Sequence, residues 1–210
     1  MEKIALLIFG AFVVAGGAAR VGGNVSPDGS TEIGCDLPAR LHLRNTGGSD
    51  GLGLCVFTSI AHGARWQNLA LLEDFRDWMK SRPGGGWPEK VDRMIAAIAA
   101  EKKQPVPEYL QLQGGKELFP IFRAALESGR MVQVTYSFSP TRRYGGAKIS
   151  HMVSLVGLTD RWAVILDNNY PGGDNYEWMS VDQFAATFTG GRAGWAFILL
   201  NDVPPPLPHN

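Results

Sequence analysis

Two cysteines in 210 residues are too few for a disulfide framework or for a zinc site of four thiolates. Net charge is also missing. Twenty Lys and Arg balance twenty Asp and Glu, so no field of one sign marks the chain for nucleic acid or an anionic surface. Adjacent basic residues such as Arg142 and Arg143 read as a solvated loop. Long apolar runs are lacking as well: the longest candidate, Ile4 to Ala15, falls short of the ~20 residues that cross a bilayer. With Lys3 before it and Gly16-Gly17-Ala18-Ala19 after it, the segment reads as a cleaved secretory signal over residues 1–19, which implies a secreted or periplasmic protein. A membrane enters only if residues 4–15 are retained as an anchor. No internal repeat is visible, and the stretch from Val203 to Asn210 is proline-rich and extended in character.

What is present is enough for one core. Hydrophobic residues make up 45% of the chain, a length and composition suited to a single domain. We divide it into a signal (1–19), an N-terminal segment (20–44), a folded domain (45–202) and a tail (203–210). Apolar residues recur at helical spacing from Cys55 to about Gln67, from Leu69 to Lys80 and from Glu89 to Lys103, with Pro83-Gly-Gly-Gly-Trp-Pro88 between the last two. Lys116 to Ser128 reads as a further helix, closed by Gly129 at C′. Beyond Gly129 the period becomes that of strands: Met131–Phe138, Ile149–Leu158, Trp162–Leu166 and Gly194–Leu200. A short helix, Val181–Phe188, with Ser180 as its N-cap, interrupts them. Helices first and strands later predict an α+β fold, with the sheet packed against the helix that begins at Cys55.

Cys55 follows the glycine-rich turn Gly51-Leu-Gly-Leu54. A thiol at a helix N-terminus has its thiolate favoured by the helix dipole and the unpaired first-turn N–H groups. A base must come from elsewhere in the chain. Of the four histidines, His42 precedes the thiol, His62 lies on the thiol's own helix and His209 is in the tail, whereas His151 opens a strand that can be laid beside Cys55. A Cys35–Cys55 bridge is the competing structural role for the thiol.

His151-Met-Val-Ser-Leu-Val-Gly-Leu158, followed by Trp162-Ala-Val-Ile-Leu-Asp167 and Asn168-Asn-Tyr-Pro-Gly-Gly173, resembles the histidine strand and the Asn/Asp strand of papain-like cysteine peptidases. Glu177-Trp-Met-Ser-Val-Asp-Gln-Phe184 and the closing strand are more similar to the bacterial double-glycine leader peptidase-like (C39-like) branch, which uses Cys-His-Asp. The resemblance covers roughly residues 45–200. It implies a papain-like thiol protease, a hydrolase with Cys55 as nucleophile, His151 as base and Asp167 as the residue that orients it. Asp167 stands 16 positions after His151, where the pattern carries its orienting residue; Asn168 is the alternative. The resemblance also implies a peptide or protein substrate and no cofactor or metal. It departs at the oxyanion position: where the family usually carries Gln, six positions before the nucleophile, this chain has Ser49. Ser49 or Asn45 is left to supply the second donor beside the Cys55 N–H. Two other functions stay open. A peptidoglycan hydrolase of the NlpC type orders its residues similarly but usually with a shorter gap than the 96 positions here. A catalytically inactive papain-like binding module is the other.

Overall fold

The apolar segments after Gly129 come together as the centre of one antiparallel sheet. The computed structural model describes residues 19–170 and 176–201; the expected signal, apart from Ala19, and the proline-rich tail lie outside the described residues. The strands are β1 (Arg20–Val21), β2 (Tyr109–Gly114), β3 (Val132–Tyr136), β4 (His151–Leu158), β5 (Trp162–Leu166), β6 (Tyr176–Ser180) and β7 (Gly194–Leu199). Their order across the sheet is β1-β6-β5-β4-β3-β7-β2, with every pairing antiparallel. Five α-helices among the described residues pack against it: α1 (Cys55–Trp66), α2 (Phe75–Met79), α3 (Pro88–Lys102), α4 (Phe119–Glu127) and α5 (Val181–Thr189). The fold is α+β.

Side chains alternate across a strand, so each central strand feeds two cores. Met152, Phe197 and Leu199 pack with Phe57, Ile60, Phe75, Val91 and Ile95 of α1 to α3. Val153, Leu155, Ala196 and Ile198 point the other way, to Phe119, Phe122, Phe184 and Phe188 of α4 and α5. Burial on both faces explains why β4, β5 and β7 read as nearly continuous apolar runs.

Most elements fall where the periodicity puts them, including the Ser180–Gln183 capping box of α5 and Gly129 at φ +78° just beyond α4. The helix expected over Leu69–Lys80 shrinks to the five residues of α2, because the chain leaves α1 through Asn68 at φ +51° and then winds through turns. β1, β2 and β6 carry too little strand signal of their own: β2 contains two glutamines and ends in glycine, and its pairing comes from β7.

Helix α1 lies close on the sheet. A Cβ on buried Gly63 would stand 2.6 Å from Nε2 of Gln133 in β3, so any larger residue there would have to displace the Gln133 amide. Ser59 Oγ donates to the Met152 carbonyl at 2.9 Å, and Trp66 Nε1 donates to the Gly129 carbonyl at 2.7 Å. These contacts fix both ends of α1 and set its N-terminus beside the first residue of β4.

Candidate active site

Cys55 is the first residue of α1, and its thiol is partly exposed. The turn that delivers it is clamped from outside by the α2–α3 loop. Asp50 Oδ1 accepts from the Gly84 N–H at 2.7 Å, the Gly85 N–H donates to the Gly53 carbonyl at 2.9 Å, and Lys90 Nζ donates to the Pro83 carbonyl at 2.8 Å and to that of Gly84. Gly86 has no room for a Cβ, which would lie 2.5 Å from Val56 Cγ2. The Pro-Gly-rich stretch, read from sequence only as a helix breaker, is the outer wall of the segment entering Cys55.

His151 opens β4 beside that helix end. Its Nε2 lies 3.0 Å from Oδ1 of Asp167, which directly follows β5. The other ring nitrogen, Nδ1, is thereby left for the Cys55 sulfur, which also receives the N–H groups of Met152 and Val56. Burial alone would push the Cys55 thiol up. The hydrogen bond and positive charge of His151, with the two backbone N–H groups, outweigh it and hold the thiol below its ordinary value. Burial likewise pulls His151 down, but the hydrogen bond to Asp167 and the contact with Cys55 push it up to about 9. Asp167 is fully buried; despite that, the imidazole, the Tyr144 hydroxyl and the Asn169 N–H hold its carboxyl below the usual range. The three groups form one hydrogen-bonded line at a helix N-terminus, an arrangement that stores a thiolate–imidazolium pair.

The three consecutive residues 167–169 face three ways. Asp167 takes His151. Asn168 Nδ2 reaches the Cys55 carbonyl at 3.2 Å, Ser59 Oγ at 2.8 Å and the Met152 carbonyl at 2.9 Å, and so ties α1 to β4 without touching the imidazole. Asn169 accepts from Asn45 Nδ2 at 2.9 Å and donates to Tyr144 Oη at 3.1 Å. Asn168, the alternative orienting residue, is thus a clamp between elements. Asn168→Ala should lower the unfolding free energy by about 1–3 kcal/mol, the cost of stranding buried polar groups. It should leave the His151 titration where it was. Urea unfolding and imidazole NMR check the two halves, and a displaced His151 titration would return Asn168 to the orienting role.

Ser49 does not join this group. It is exposed in the turn between Gly48 and Gly51, its N–H donates to the Arg82 carbonyl at 2.9 Å, and its hydroxyl makes no hydrogen bond to a described residue. The turn is held to the α2–α3 loop through the Ser49 N–H and Asp50. The Asn45 side chain lies against Gly53, 3.5 Å from where a Cβ there would be, and its N–H donates to the Asn168 carbonyl.

The expectation of a solvated Arg143 is also corrected. Arg142 is exposed, but Arg143 is buried, with Nη1 3.4 Å from Asp167 Oδ2 and 3.9 Å from Glu177 Oε2, and its guanidinium stacks on Tyr170. Tyr144 Oη donates to Asp167 Oδ2 at 2.6 Å. Glu177, fully buried in β6, accepts from Tyr136, Ser139 and Thr141. The sequence gives no sign that Arg143, Tyr144 and Glu177 gather behind Asp167. A glutamate between Tyr176 and Trp178 in a strand was the available signal, since a buried carboxylate must be partnered.

Among the described residues, Cys35 and His62 stand outside this line. Cys35 and Cys55 are both free, so the bridge is absent; Cys35 is buried and its thiol is pushed up to about 12 by desolvation. His62 is enclosed, accepts the Leu43 N–H at 2.8 Å and is held down to about 3 by burial, hence neutral. No cluster of metal-binding residues occurs among the described residues.

No protein-family model matches the chain, and no curated protein does. Among solved structures, it is similar to the crystal structure of a "putative C39-like peptidase from Bacillus anthracis", at 13% identity and a TM-score of 0.46, with 82% of this chain and 98% of that one covered.

Proposed function

We propose that the chain is a papain-like thiol hydrolase, a peptidase that opens peptide or amide bonds through a thioester. The observation that carries this reading is the line Cys55–His151–Asp167 at the N-terminus of α1. The thiolate attacks the carbonyl carbon, a C–S bond forms and the carbonyl electrons move to oxygen. The Cys55 N–H, unpaired at the helix start, faces that oxyanion, and the Asn45 amide is the side chain placed for a second bond. Collapse breaks the C–N bond as His151 gives its proton to the leaving nitrogen. Water then attacks the thioester, its proton passes to His151, and the C–S bond breaks to restore the ion pair. Asp167 holds one tautomer and one ring orientation throughout. The protein is exported by its signal and acts outside the cytoplasm.

Labelling by a thiol-directed electrophile tests the reading before a substrate is known. Iodoacetamide should modify the native protein at one residue, Cys55, at pH 6, and Cys55→Ala should abolish that label while Cys35, buried and protonated, stays unmodified. Labelling no faster than that of free cysteine would sink the proposal.

A further inference from the structure

His151 faces Cys55 on one side and a cavity of about 550 Å³ on another. The cavity lies between the end of β3, the start of β4 and the turn after α5. Its lining holds two cations, Lys148 and Arg192, and no carboxylate. Both side chains are exposed, and neither forms an ion pair with a described residue.

The end of α5 would ordinarily bring unpaired carbonyls, and so negative potential, to such a place. Here they are occupied. The Ala186 carbonyl accepts from the Gly190 N–H, that of Thr187 from the Ser137 N–H, that of Phe188 from Thr135 Oγ1, and that of Thr189 from the Arg192 N–H. The Ser137 hydroxyl, by contrast, makes no hydrogen bond to a described residue, and it sits against Gly190, where a Cβ would collide with it. The cavity therefore offers positive charge and a spare hydroxyl, with the carbonyls at the end of α5 already used.

Position supplies the rest. His151 must hand its proton to the departing amine, so the part of the substrate that leaves has to run past the imidazole, and of the three residues Cys55, His151 and Asp167 it is His151 that lines the cavity. We propose that this cavity receives the leaving-group side of the peptide and selects an acidic residue there through Lys148 and Arg192. The inference rests on the thiol-hydrolase reading and adds the substrate class to it.

Acyl transfer tests it. An N-acylglycine p-nitrophenyl ester loads Cys55, and release of nitrophenol reports acylation with a leaving group that carries no carboxylate for Lys148 and Arg192 to select. An added amine then competes with water for the thioester and, by microscopic reversibility, enters where a leaving amine departs. Glutamic acid α-amide should be accepted over glutamine amide by roughly five-fold at low ionic strength, the size of one good exposed ion pair. The preference should shrink as salt rises. It should disappear in Lys148→Glu/Arg192→Glu, and in Lys148→Gln/Arg192→Gln, with nitrophenol release unchanged. Equal use of the two amines by the native protein overturns the cavity assignment and leaves the thioester reading standing. Absence of nitrophenol release overturns the thioester reading itself, and the cavity assignment with it.

Discussion

Alkylation of Cys55 at pH 6 should run well ahead of that of an ordinary thiol, and His151→Ala should cut that rate by up to about 100-fold. The direction follows from the charges. Burial disfavours the thiolate, and His151, with two N–H groups, overcomes it. With the imidazole removed, burial remains and the thiol returns to its ordinary range or above. A thiol of pKa about 8.5 is only about 0.3% ionised at pH 6, which sets the size of the loss. At the alkaline end the pair persists until His151 gives up its proton, near pH 9. Hydrolysis needs that proton for the leaving amine, so its pH profile should fall there while alkylation does not. The apparent values belong to the pair, and iodoacetamide kinetics with a fluorogenic peptide assay on the same samples would read both limbs. A native profile that rises only near pH 8.5 and is unchanged by His151→Ala would mean that no ion pair exists.

Asp167→Asn should reduce kcat/KM by about 10²–10⁴, the range expected when a base loses the group that fixes its tautomer and charge. Asp167 is one of the causes that lift His151 against its burial. Without the carboxylate the imidazole loses that support, and the alkaline limb of hydrolysis should move to lower pH. Alkylation at pH 6 should slow in step, because the thiolate loses part of its counter-ion. A merely structural role would lower stability and leave the limb in place. Heat or urea unfolding beside the pH profile separates the two, and an unmoved limb in a folded Asp167→Asn protein would remove Asp167 from the chemistry.

The elements that could be read from sequence are those whose signal is local. A helix-start cysteine, a histidine at the head of an apolar strand, and an aspartate at the end of the next strand are each visible in a window of ten residues. Their meeting is a property of the β4–β5 pairing, which aligns Ser154 with Leu166 and so brings the ends of the two strands together. What could not be read depends on the path of loops. The β3–β4 loop doubles back through left-handed backbone at Arg142, Tyr144, Gly145 and Gly146, which turns Arg143 inward and puts Tyr144 over Asp167. Nothing in a run of two arginines announces that reversal. Ser49 stands at the family's donor position by count from Cys55, and a count says nothing about which way a glycine turn faces. Asn45 lies outside that count, held by Asn168 and Asn169 from the other end of the domain.

The division of labour among residues 167–169 bears on how this chain can change over time. Each side chain has a different destination: the imidazole, the helix carrying the thiol, and the Asn45–Tyr144 bridge. Point changes at these positions degrade one task at a time. Losing one residue ahead of them would hand the imidazole an amide and the Asn45–Tyr144 bridge a tyrosine, whereas adding one would hand the helix a carboxylate and the imidazole whatever was added. Either change takes Asp167 from His151, so the length of the chain between β4 and this triplet is fixed by the imidazole rather than by the clamp or the bridge.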